Sequence, residues 1–226
     1  MPTRSPFGVG EWYHCYNRGV DKRRIFETIS DYDRFLLSLY AGNSTTPIHV
    51  SNFSDRRLSS VLADDSIERD EPLVEIGAYC CMPNHFHLAL KEIREGGIAL
   101  FMQKVCTGYT MYFNKKNERT GALLAGTFKA RHVKDDRYLK HLIAYIHLNP
   151  VELFETRWKD GKGNINKIKR ELLRYRYSSL LDFVSNKDRL ERHILGDSIF
   201  SLYETLPSLS ETVADAKTYY EENWQG

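Results

Sequence analysis

Two histidines flank one large hydrophobe in Met82-Pro83-Asn84-His85-Phe86-His87-Leu88-Ala89-Leu90. Side chains in a strand alternate between faces, so His85 and His87 point one way while Phe86, Leu88 and Leu90 point the other. Two imidazoles side by side on a strand supply two of the donors a metal ion needs. On the plainer reading they are polar surface or hydrogen-bonded residues. About sixty residues later comes Tyr145-Ile146-His147-Leu148-Asn149-Pro150-Val151. At about 100° per helical residue, Tyr145 and Asn149 share a face one turn apart. A hydroxyl nucleophile and an amide oxygen are thereby presented together. The plainer alternative makes Tyr145 a half-buried helix residue and Asn149 a C-terminal cap.

The elements that must position these groups follow from patterning. Asp135 and Asp136 suit the positive end of a helix that Pro150 stops, with Leu139, Leu142, Ile143 and Ile146 as its buried stripe. Trp12 to Arg18 is predicted as a first strand. Ser30 is predicted to cap a helix through about Tyr40, with Tyr32, Phe35, Leu36 and Leu39 inward. Residues 42–72 are polar and irregular and are predicted as a long inserted loop. Leu73 to Cys81 and His85 to Lys91 form a hairpin turned by Met82-Pro83-Asn84. A helix from Ile98 to about Asn114 buries Ile98, Phe101, Val105 and Tyr112, and Leu124 to Val133 is the next strand. The order β-α-β-β-α-β-α predicts an α+β chain with an antiparallel ferredoxin-like sheet and packed helices. The tyrosine helix must then lie against the histidine face.

Taken together, the sequence resembles the single-tyrosine HUH transposases, and most of all the REP-associated tyrosine transposases. His85-Phe86-His87 matches the His-hydrophobe-His motif, and Tyr145-Ile-His-Leu-Asn149-Pro-Val matches the tyrosine motif. Tyr13-His14-Cys15-Tyr16-Asn17-Arg18-Gly19, Gly126-Thr127-Phe128-Lys129-Ala130-Arg131 and Tyr175-Arg176-Tyr177-Ser178-Ser179-Leu180 are similar to further stretches of the group. The likeness spans roughly residues 10 to 182, with the motifs in the expected order. It implies an HUH catalytic domain over residues 1–155, carrying the 42–72 insertion, and a C-terminal extension over 156–226, basic and then acidic. It implies an enzyme that cleaves and rejoins single-stranded, hairpin-forming DNA through a 5′-phosphotyrosine. Tyr145 would be the nucleophile, and His85, His87 and Asn149 would hold a divalent metal, Mg2+ or Mn2+. Imidazole ligands alone would also suit zinc. Conserving the phosphoester energy would let a 3′-OH reverse the cut without ATP. A replication initiator or relaxase is the rival enzyme reading. A domesticated, non-catalytic protein that binds structured nucleic acid is the rival from another class.

The net charge of +2 does not advertise nucleic-acid binding, but its distribution does. Gln103 to Lys140 holds nine basic residues against three acidic, and Arg157 to Arg176 holds eight against two. Asp55 to Glu75 reverses the balance with seven acids and three bases, as does Gly196 to Gly226 with six and one. Such segregation would leave one surface able to follow a phosphate backbone. Lys129 and Arg131 share a strand face beside the site and are candidate DNA contacts, or ordinary solvated charge. His14 is expected to be structural, and His141 could assist the site. Tyr13, Tyr16 and Tyr109 are expected in the core. Tyr219 and Tyr220 are expected near an exposed end, away from the chemistry. Cysteines 15, 80, 81 and 106 show no CxxC pair, no apolar run has the length of a membrane span, and the first residues lack a signal-peptide core. The expectation is a reduced cytoplasmic protein, monomer or homodimer, with no membrane and no ATP partner.

Overall fold

A computed structural model describes residues 7–46, 48, 57–64, 66, 67, 69–156, 158, 163–185 and 188–223. Four strands, β1 (Trp12–Arg18), β2 (Val74–Met82), β3 (His85–Glu92) and β4 (Lys129–His132), form one sheet in the order β2-β3-β1-β4. Every neighbouring pair is antiparallel. Helix α1 (Ile29–Gly42) links β1 to β2, and α3 (Gly97–Lys116) links β3 to β4. Each crossover therefore skips one strand position, which is the ferredoxin-like arrangement in an α+β chain. Among the described residues, no helix is long and apolar enough to cross a membrane.

The half of the β3 alternation that faces away from the histidines is the core side. Phe86, Leu88 and Leu90 are fully buried, and Phe86 packs on Phe35 of α1 at a ring distance of 4.8 Å. α1 and α3 pair over that face. The cap of α1 lies two residues before Ser30: Thr28 is the cap, and Asp31 completes a capping box by accepting from the Thr28 backbone N–H at 2.9 Å. Asp31 also accepts from Lys116 Nζ at 2.7 Å, which ties the start of α1 to the end of α3. In α3 the buried tyrosine is Tyr109, in step with Ile98, Phe101, Met102 and Val105, while Tyr112 is only half-buried.

Two further expectations are corrected. The 42–72 segment is not all loop, because α2 (Leu58–Leu62) buries Leu58, Val61 and Leu62. Residues 47, 49–56, 65 and 68 of that segment lie outside the described residues. The strand predicted from Leu124 to Val133 is only β4, because Gly126 takes a left-handed conformation (φ +72°) and turns the chain. Leu124 makes just an isolated bridge to Gly19.

The opposite sheet face is covered by α4 (Asp136–Leu148), opened by Asp135, whose carboxylate accepts from the Tyr138 N–H at 2.7 Å. Leu139, Leu142, Ile143 and Ile146 are buried as predicted, and the helix tightens into a 3-10 turn, Asn149–Leu153, around Pro150. α5 (Ile165–Leu172), α6 (Leu181–Val184) and α7 (Leu209–Asn223) follow. α7 lies along α4, and Val213 and Ala216 join Leu148, Val151, Trp158, Ile168 and Leu172 in a second apolar cluster. Of the basic stretch Arg157 to Arg176, residues 157 and 159–162 lie outside the described residues.

The Tyr-Arg-Tyr-Ser-Ser segment is architectural. Cys81 N–H donates to the Tyr177 carbonyl and Ser179 N–H to the Tyr79 carbonyl, each at 3.0 Å, so residues 177–179 pair along the outer edge of β2. Ser179 Oγ also accepts from the Tyr79 N–H and bonds to His147 Nε2 at 2.9 Å.

Candidate functional site

The β1–β3 register pairs Tyr16 with His87 and Arg18 with His85, and the β1–β4 register pairs His14 with Arg131 and Tyr16 with Lys129. Residues directly opposite in a ladder share a face. His14, Tyr16, His85, His87, Lys129 and Arg131 therefore all stand on the side covered by α4. The His85 and His87 rings lie 5.0 Å apart and nearly perpendicular. Tyr145 comes down from α4 with its ring 5.5 Å from that of His87 and 5.8 Å from that of His14.

These groups enclose a cavity of about 390 Å³. Of the six residues predicted for the site, His85, His87, Tyr145, Asn149 and Arg131 line it, and Lys129 lies exposed beyond it on the same strand face. His14, Tyr16, Glu152, Tyr219 and Tyr220 complete the lining. Tyr219 and Tyr220 are thus not at an exposed end: Tyr219 stacks on Tyr145 at 4.5 Å and Tyr220 meets its edge at 5.1 Å. Their approach depends on α7 docking on α4, a tertiary event with no local sequence signal. Tyr16 belongs to the cavity rather than the core. His14 and Tyr16 repeat the i, i+2 spacing of the histidine pair, a signal that becomes readable only once β1 is known to neighbour β3. Glu152 follows from Asn149, since three residues along a 3-10 turn return to the same side. His141 is buried one turn before Tyr145 and does not line the cavity. A larger cavity of about 680 Å³ lies between β2 and residues 193–198, away from the histidine pair.

The polar bonds fix how these groups are presented. His85 Nδ1 lies 2.7 Å from Asn84 Oδ1, which can only accept, so the neutral ring carries its proton there and a lone pair on Nε2. His87 Nδ1 lies 2.8 Å from His14 Nε2. Asn149 Nδ2 donates to the Tyr145 carbonyl at 2.8 Å, and the Asn149 side chain also hydrogen-bonds with His85 and with the Tyr145 hydroxyl. Asn149 therefore serves both as the helix cap and as a cavity group.

Burial sets the protonation states. It pushes the His87 imidazole well below its ordinary value, helped by His14 and His85, and it brings His14 down to about 3 with help from Arg131. His85 is lowered by burial, against an upward pull from the Glu152 carboxylate and the Asn149 hydrogen bond. All three imidazoles are neutral near pH 7, the form that donates to a metal. Burial, and then Glu152, pushes the Tyr145 phenol up, while the Asn149 bond pulls it down. Ionising this phenol needs positive charge nearby.

Two neutral imidazoles with engaged Nδ1 atoms, an amide oxygen and a carboxylate at the mouth fit one divalent ion with room for an oxygen ligand. Among the described residues, no three His, Cys, Asp or Glu side chains cluster to hold a metal on their own, so such an ion would depend on the amide. The set brings a phenol oxygen, two imidazoles, an amide and the Arg131 guanidinium to one cavity.

No protein-family model matches the chain, and no curated protein matches it. Among solved structures, the chain is similar to a REP-associated tyrosine transposase bound to a REP hairpin, with a TM-score of 0.47 and 12% identity over 92% of this chain and 99% of that one.

Proposed function

We propose that this protein is a single-tyrosine HUH transposase of the REP-associated kind, which cuts and rejoins single-stranded DNA at hairpin-forming repeats. One observation carries the reading: the only α4 tyrosine that reaches the cavity stands over the His85–His87 pair, with Asn149 one turn below it. A surface histidine pair or a capped helix end, taken separately, would have no reason to converge. Residues 1–155 form the catalytic unit and 156–226 an extension that returns Tyr219 and Tyr220 to it. The protein acts in the cytoplasm.

Tyr145 Oη attacks the scissile phosphorus in line with the departing O3′. The new O–P bond forms as the P–O3′ bond breaks, the phenol proton leaves to solvent, and the 3′ oxygen takes up a proton to become a free 3′-OH. Arg131 faces the non-bridging oxygens and neutralises the charge that grows there. Asn149 holds the phenol in place through its hydrogen bond. A Mg2+ or Mn2+ ion held by His85, His87 and Asn149 would polarise the phosphate and lower the cost of a phenolate. Reversal by another 3′-OH joins strands with no ATP.

The test is incubation of the full chain with end-labelled hairpin DNA carrying unpaired flanks, with and without Mn2+, followed by a denaturing gel. A metal-dependent protein–DNA band with the label 3′ of the cut is expected. Cleavage without any covalent band, or equal cleavage of hairpin and perfect duplex, would replace this reading with an ordinary nuclease.

A further inference from the structure

The His14 ring lines the cavity without a role in the chemistry above. It is buried, as is His87 (5% and 6% exposed), and the two rings stack at 5.0 Å with 27° between their planes. The contact is polar as well as flat: His14 Nε2 is 2.8 Å from His87 Nδ1. One proton must lie between these nitrogens, and there are two ways to place it. If His14 donates, the neutral His87 ring carries its only proton on Nε2 and can ligate nothing through that atom. If His87 donates from Nδ1, its Nε2 carries a lone pair, the state that Asn84 already imposes on His85.

We propose that His14 is a positioning residue: it accepts from His87 Nδ1–H, fixes that tautomer and ring angle, and so turns the His87 Nε2 lone pair toward the cavity. This rests on the metal-dependent reading of the site. The partner cannot be the residue directly across the ladder, because Tyr16 holds that place and its ring packs at 5.7 Å from His87. His14 reaches His87 on the diagonal, a span of about 7–8 Å between backbones that needs a long side chain. β1 is a central strand, paired on both sides, so the position of His14 is set by two registers. Tyr16 backs the His14 ring at 4.8 Å and Tyr145 meets it edge-on, which limits its rotation. Partners of this kind commonly govern metal affinity by about 10–100-fold without touching the ion.

The experiment measures Mn2+ binding to the DNA-free full chain by EPR, for the parent, His14→Leu, His14→Gln and His85→Ala. In parallel, 15N NMR reads the His87 ring of the parent. The expected result is a loss of about 10–100-fold in His14→Leu, recovery in His14→Gln, whose amide oxygen can accept, and a bare, lone-pair Nε2 on His87. Should His14→Leu fail to fold, His14→Gln and the parent NMR spectrum still decide. Parent-like affinity in His14→Leu, or a proton on His87 Nε2, overturns the inference; with His85→Ala still impaired, the metal reading survives it. Undiminished binding in His85→Ala removes the metal reading itself, and this inference with it.

Discussion

Replacing Tyr145 by phenylalanine removes one oxygen and leaves the ring among its four aromatic neighbours, Tyr219, Tyr220, His87 and His14, at 4.5 to 5.8 Å. Those ring contacts, worth about 0.5–1.5 kcal/mol each beyond their area, persist. The hydroxyl's bond to Asn149 is lost, worth about 1 kcal/mol. For a chain of this size that corresponds to a melting shift of about 2–4 °C at most. The truncation Tyr145→Ala would instead cost about 3–5 kcal/mol. Chemistry responds in the opposite proportion. Without Oη no phosphotyrosine can form, so the covalent band should fall by roughly a thousandfold or more, equivalent to about 4 kcal/mol of barrier. Urea melts and a denaturing gel on the same preparations separate the two effects. An undiminished covalent band in a folded Tyr145→Phe protein would refute the assignment and direct attention to Tyr16, Tyr219 and Tyr220, the other phenols of the cavity.

The remaining predictions concern metal, phosphate and protons. His85→Ala and His87→Ala should each abolish Mn2+-dependent cleavage while hairpin affinity, measured by gel shift, stays within about threefold, because phosphate contacts supply the binding; an equally active double variant would end the HUH assignment. Neutralising Lys129 and Arg131 together should weaken hairpin and duplex alike and reduce the salt slope by about 2, whereas Arg131→Gln alone should also slow cleavage, since only Arg131 lines the cavity. A single-turnover rate unchanged in Arg131→Gln contradicts that split. His147, buried against Ser179 and Phe183, titrates near 3 in the fold against 6.5 unfolded. The unfolded chain takes up the proton first, so this stabilisation is intact above about pH 6.5 and is lost as pH falls toward 3, at about 1.4 kcal/mol per unit. Between pH 7 and 5 the urea midpoint should therefore drop more steeply in the parent than in His147→Asn, the other buried histidines contributing equally to both, and parallel profiles would show that His147 charges freely in the fold.

What the sequence revealed followed local rules. β1 matched its prediction residue for residue, because Trp12 to Arg18 is bounded by turns. The histidine strand and the tyrosine helix were legible because each carries its own period, two for one and 3.6 for the other. Periodicity also placed His85 beside His87, and Tyr145 beside Asn149, on shared faces. It could not bring the two pairs together, which required strand order and helix docking. The same limit explains His14 and Tyr16, whose face has meaning only through pairing with β3. It explains Tyr219 and Tyr220 as well, carried in by a helix that is itself held through Val213 and Ala216. Where local reading failed outright, a single residue redirected the chain, as Gly126 did within an otherwise strand-like run. The helix predicted to start at Ser30 is capped two residues earlier, at Thr28, because Asp31 lies three residues on and closes a capping box there.

The pairing of residues 177–179 along β2 leaves the sheet with unequal borders. A strand edge with unsatisfied amides and carbonyls is a template for another chain. On the β2 side that template is already occupied through Tyr79 and Cys81 by the chain's own later segment. Growth of the sheet by a second copy, or by an added peptide strand, would there have to begin by displacing it. The other border, β4, is four residues long and carries Lys129 and Arg131, too short and too cationic to recruit a like strand. Chain association by sheet continuation is thus disfavoured at both ends for different reasons, one by occupancy and one by charge.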